Sequence, residues 1–139
     1  MPERRLDEHT AQWTTQALAR LMCTYAIIQG LTTVLTGDER WVSRSYSTAL
    51  TIPGAPESWG WTFFAIGAAG LGASLYGRVT PVVLPLFLGG VWCAFFALAF
   101  LRAATAYPEA SVAAVWNYAA FTAAFWSLAV AYHRSRTKR

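Results

Sequence analysis

Acidic residues are missing from every long apolar stretch of this chain. All seven (Glu3, Asp7, Glu8, Asp38, Glu39, Glu57 and Glu109) lie outside four apolar runs at residues 17–36, 58–77, 79–101 and 110–132. Histidine is scarce too: His9 and His133 sit near the two ends. Proton relays and ion-coupled transporters generally place an ionisable group at membrane depth, so the pattern counts against both. No nucleophile stands where a base would activate it, and no Gly-rich loop leads into a lysine-bearing helix. Catalysis is therefore not expected, nor is a cofactor or metal site. The only cysteines, Cys23 and Cys93, form no CxxC and no zinc spacing. If both runs cross in the same direction the two lie at different depths, about 12–15 Å apart at 1.5 Å per residue, whereas a disulfide needs Cα atoms within about 7 Å. Two free thiols are expected.

Charge is also sparse, at 13% of residues against 55% apolar. Such a chain has little polar surface with which to cover a soluble core. Residues 58–101 carry one charge, Arg78. The run on either side of it has about the 20 residues that a helix needs to cross a hydrocarbon core. Gly77 and Pro81 bracket the joint, a glycine to end one helix and a proline to start the next. The reading is a membrane hairpin, and the rest of the chain follows from it. The sequence predicts an all-α, multi-pass membrane protein with one domain over residues 1–139. Its four transmembrane helices fall near residues 17–36, 59–77, 81–102 and 111–132, with short connections and one longer outer loop at residues 37–58.

Within that plan three patterns stand out. On the first span Tyr25, Gln29, Thr32 and Thr36 follow i, i+4, i+7, i+11 and form one polar stripe. It serves either as an ordinary packing face, with threonines bonding their own i−4 carbonyls, or as a face that lines water. On the second span Ala65, Ala69, Ala73 and Gly77 recur every four residues. In lipid, small residues let helix backbones approach closely, so this ladder is expected to be a helix-packing face. The fourth span repeats the device with Ala119, Ala123, Ser127 and Ala131. Finally, Trp59, Trp61, Tyr76, Trp116 and Tyr132 stand at span ends, where aromatic belts meet the headgroups. Trp41 and Tyr46 in the loop are expected at the same interface. Pro85 is expected to bend the third span.

The basic residues set the orientation. With both termini cytoplasmic, the inner segments hold Arg4, Arg5, Arg20, Arg78, Arg134, Arg136, Lys138 and Arg139, against Arg40, Arg44 and Arg102 outside. The tail cations Arg134, Arg136, Lys138 and Arg139 abut an apolar helix. That favours anchoring to anionic lipid over nucleic acid. Residues 1–16 are polar; Leu6, Trp13 and Ala17 either share a face lying on the membrane or belong to a frayed tail. Neither a cleavable leader nor a lipidation motif is expected. The partners implied are the bilayer, further copies of the chain in a homo-oligomer, and a second membrane protein in one of the readings below.

Arg40-Trp41, Ser45-Tyr46 and Pro53-Gly54-Ala55-Pro56-Glu57-Ser58-Trp59-Gly60-Trp61 resemble the corresponding region of small four-helix, holin-like membrane proteins of actinobacterial phages. The resemblance covers about residues 36–77 and the hydropathy plan of the rest. It implies permeabilisation of the host cytoplasmic membrane during lysis, without catalytic residues. The long polar outer loop departs from a minimal holin. The other reading is a non-enzymatic accessory or interaction protein, such as a phage exclusion factor or complex subunit, with the loop as its recognition surface.

Overall fold

A computed structural model describes the backbone at residues 2–36, 46, 49–51, 55–76, 80–108 and 110–137, and side chains at 10–36, 46, 50–51, 55–76, 82–108 and 110–135. Its four α-helices are α1 (Pro2–Leu35), α2 (Glu57–Leu75), α3 (Thr80–Ala106) and α4 (Val112–Thr137), with a short 3-10 turn at Ala49–Thr51.

The helix ends depart from the predicted spans for local reasons. α1 is continuous from Pro2, so the polar amino-terminal segment is helix rather than frayed tail. Proline in a first turn loses no hydrogen bond. α3 opens with Thr80-Pro81 and runs unbroken through Pro85 to Ala106. α4 continues past Tyr132 to Thr137. A helix has no reason to stop where apolar residues stop, and nothing between Tyr132 and Thr137 breaks it.

Among the described residues three segments are long and apolar enough to cross a membrane: Thr10–Leu35, Val82–Ala106 and Val112–Ser135. α2 is shorter, with 19 residues, or about 28 Å at 1.5 Å per residue. Its four glycines and two tryptophans lower its hydropathy.

Contacts along the helices fix an antiparallel up-down-up-down bundle. Moving up α2 from Gly60 through Gly67 to Gly70, its neighbours move down α1 from Val34 through Ile27 to Cys23. At the end of this seam Arg20 Nη2 donates to the carbonyl of Ser74, at 3.4 Å. α3 and α4 run against each other in the same manner, from Gly90 beside Trp126 to Phe100 beside Tyr118. α1 pairs chiefly with α2 and α3 with α4; α2 packs on α3, joining the two pairs.

The interior is apolar, in two clusters. One, around Cys23, Phe63, Leu86, Cys93, Phe125 and Tyr132, fills the bundle toward the amino-terminal end of α3. The other gathers Trp59, Phe96, Ala99 and Phe100 toward the opposite end. Both cysteines are free and buried. Two buried hydroxyls turn back on their own helices: Ser74 donates to Leu71 O and Thr122 to Tyr118 O, each at 2.8 Å. The outside is apolar as well. Leu21, Ile28, Leu84, Phe87, Leu98 and Val130 are all exposed. An exposed apolar belt on this scale has no place on a soluble monomer and suits contact with lipid chains.

Candidate functional site

The polar stripe of α1 divides. Tyr25 turns inward, half-buried, and stacks on Phe121 with ring centroids 4.6 Å apart. Its edge meets Phe63 at 6.3 Å. Gln29 also reaches the interior, where it lines a cavity. Thr32 instead donates to the carbonyl of Ile28 at 2.8 Å, and Thr36 donates to that of Thr32. Both threonines are thus satisfied by their own helix, the ordinary packing role.

The cavity, about 40 Å³, lies where all four helices converge. Gln29 and Thr33 supply its polar wall; Trp59, Trp92, Phe96 and Tyr118 are among the rings that supply the rest. Thr33 Oγ1 donates to Gln29 O at 2.8 Å, which leaves the hydroxyl oxygen able to accept. The rings hold one another in place. Phe96 meets Trp59 edge-on at 5.1 Å, Trp92 at 5.7 Å and the face of Tyr118 at 5.4 Å. Thr33, Trp92, Phe96 and Tyr118 are not among the residues expected from sequence, and Trp59 is expected at the headgroups instead. Gln29 and Thr33 do share an i, i+4 face, and that face is the one signal by which the polar wall was legible.

Two aromatic expectations are corrected. Trp59 is 2% exposed and Tyr132 is 1% exposed, so neither stands at an interface. Trp59 points inward from the first turn of α2, and Tyr132 closes the apolar cluster from α4. Trp61 and Trp116 do face outward, at 53% and 71% exposure. Tyr46 packs half-buried against Phe100, with ring centroids 5.1 Å apart. Trp41 lies outside the described residues.

The expected packing face is displaced as well. Ala65 and Ala69 are exposed, Ala73 is half-buried against the core, and Gly77 lies outside the described residues. The close approach between α1 and α2 falls instead on Gly30, Gly60 and Gly67. The physical reason is size. Glycine admits the neighbouring backbone itself, so the glycine face wins the tightest contact and turns the alanine face away. On α4, Ala123, Ser127 and Ala131 likewise face outward, while Ala119 is half-buried.

Of the tail cations, Arg134 is exposed on the last turns of α4, and Arg136 rides on the same helix. The side chain of Arg136 and all of Lys138 and Arg139 lie outside the described residues. Among the described residues no three His, Cys, Asp or Glu side chains gather to hold a metal. Set against known protein families, curated proteins and solved structures, the chain matches none.

Proposed function

We propose that the chain is a four-span protein of the cytoplasmic membrane, with both termini inside, that assembles with copies of itself and permeabilises that membrane in the manner of a holin. The observation that carries the reading is the outward placement of two small-residue ladders, Ala65 and Ala69 on α2 and Ala123, Ser127 and Ala131 on α4. Helices that meet in lipid do so through such residues, and the chain's own core leaves these unused. α2 completes the fourth span, its length close to the hydrocarbon thickness of about 30 Å. On assembly the stripe of Tyr25, Gln29, Thr32 and Thr36 turns from the chain's interior toward water and offers a wettable wall that carries no charge.

The test is induction of the gene alone in a suitable host, following membrane potential and growth. Wild type is expected to depolarise the membrane after a delay. Gln29→Leu is expected to delay or abolish depolarisation at unchanged protein level. Abundant wild-type protein in the membrane with the potential held would overturn the reading.

A second reading, a non-enzymatic accessory or interaction protein, is favoured by one observation. Tyr46 and Ala55 from the connection before α2 pack onto the Phe96–Phe100 end of the bundle, which makes part of that connection a folded cap suited to recognition. It expects no depolarisation at any expression level.

A further inference from the structure

The cavity between the four helices has two properties that together select its occupant. Its volume, about 40 Å³, exceeds the roughly 10–15 Å³ that one water occupies on this measure. Its wall is mixed: rings on most sides, but the amide of Gln29 and the hydroxyl of Thr33 on one. Cavities that stay empty are apolar throughout, and this one is not. No described residue takes a hydrogen bond from the side-chain amide of Gln29. That amide offers two donors and an acceptor, and an unsatisfied polar group in a membrane interior costs several kcal/mol, on the order of its whole desolvation penalty.

A cation is the obvious competitor, because aromatic boxes attract cations. The magnitudes at best balance, so the outcome turns on whether a counter-charge is present. Each cation–π contact contributes about 0.5–2 kcal/mol, while burying an ion costs several kcal/mol on the order of the whole box's attraction. Among the described residues no carboxylate lines the cavity to make up the difference. A neutral guest with hydrogen-bonding capacity remains.

We propose that this cavity is an internal water site, holding roughly two or three molecules anchored by Gln29 and Thr33 under an aromatic lid. The site has a defined floor. Phe63 lines it on one side and meets Tyr25 and Phe125 at 6.3 Å on the other. Beyond Phe63 lie the apolar side chains of Leu86, Cys93 and Phe125. The water therefore stops at Phe63. The site is built within one chain, so its hydration does not depend on assembly or on permeabilisation.

The experiment is magic-angle-spinning NMR on the full chain in lipid bilayers, with side-chain amides of glutamine labelled and magnetisation transferred from water. Gln12 and Gln16, on the polar part of α1, serve as hydrated references. The amide of Gln29 is expected to receive water magnetisation, and the backbone amides of Leu86 and Cys93 are expected to receive none. In Gln29→Met, a near-isosteric apolar replacement, Thr33 is expected to lose most of its water signal. Should that variant fail to fold, the unaltered protein decides alone. A Gln29 amide with no transfer from water, or with transfer from lipid chains in its place, would overturn the proposal. So would a Thr33 signal unchanged in folded Gln29→Met.

Discussion

The α1–α2 seam and the α3–α4 seam use glycine for opposite purposes. In the first, backbone meets backbone. A Cβ added at Gly30 would lie 2.5 Å from Phe64 N and 2.6 Å from Gly60 O; one added at Gly67 would lie 2.6 Å from Cys23 O. In the second, glycine opens a hollow for a ring. Gly89 lies under Phe125, and Gly90 under the indole of Trp126. Where lipid removes the hydrophobic drive between helices, packing has to replace it. The first seam gains its dispersion by bringing two helices together along their length, and the second by interdigitating side chains. The lesson is one of tolerance. A ring has other rotamers, whereas a backbone carbonyl in a helix has nowhere to go.

The largest expected effect follows directly. Gly67→Ala places a methyl against Cys23 O and Ile27 N, the latter at 2.8 Å. Relief requires the two helices to separate, which also loosens the contacts at Gly30 and Gly60. The destabilisation is expected at or above the top of the usual overpacking range of about 1–3 kcal/mol, and is read as a lowered unfolding midpoint in detergent. An unchanged midpoint would mean the seam is looser than its geometry, and the contrast between the two seams would fail.

Gly90→Ala is expected to cost less, although its Cβ would fall only 2.3 Å from the Trp126 ring. Trp126 is 40% exposed and can swing outward. The swing sacrifices its hydrogen bond from Nε1 to Phe87 O, 3.3 Å long, and such bonds average about 0.6 kcal/mol in membranes. It also breaks the stack on Phe87, whose ring centre lies 6.2 Å away. The midpoint should fall less than in Gly67→Ala, while tryptophan emission shifts as the indole leaves its place. Equal losses in the two variants would show that the ring seam is as rigid as the backbone seam.

This contrast was only half legible in the sequence. Four apolar runs and their joints announced four helices, because length and the Gly77-to-Pro81 punctuation are local signals. Which face of each helix turns inward is not local. Ala65 and Ala69 recur at the same four-residue spacing as a packing ladder should, yet Gly60, Gly67 and Gly70 lie on a different face of the same helix and take the buried positions. On helices apolar all round, no polar face marks the outside, so periodicity cannot choose between two small-residue faces. Size could have chosen: glycine, with no side chain, permits the closer approach. The same lack hid the cavity. Gln29 was conspicuous as the strongest polar residue of its span, but its ring neighbours come from α2, α3 and α4, and only the tertiary arrangement brings them to it. Trp59 and Tyr132 were misplaced for a related reason. Position near a span end suggests the headgroup belt, but the face decides, and both sit on the inward one.

The smallest expected effect on the fold is the most informative about assembly. Ala69 is exposed on the side of α2 away from Gly67. In Ala69→Leu the added carbons extend into lipid, and leucine is nearly as good a helix former as alanine. The unfolding midpoint of the single chain should therefore not move, in contrast to Gly67→Ala on the same helix. If the alanine ladder packs against another copy, the added side chain wedges the copies apart. Crosslinking in the membrane should then shift from oligomer to monomer at an unchanged midpoint. A lowered midpoint would place Ala69 within the chain's own packing and erase the distinction between the two faces of α2. An unchanged midpoint together with unchanged crosslinking would leave the ladder facing lipid, and the permeabilising assembly would lose the observation that carries it.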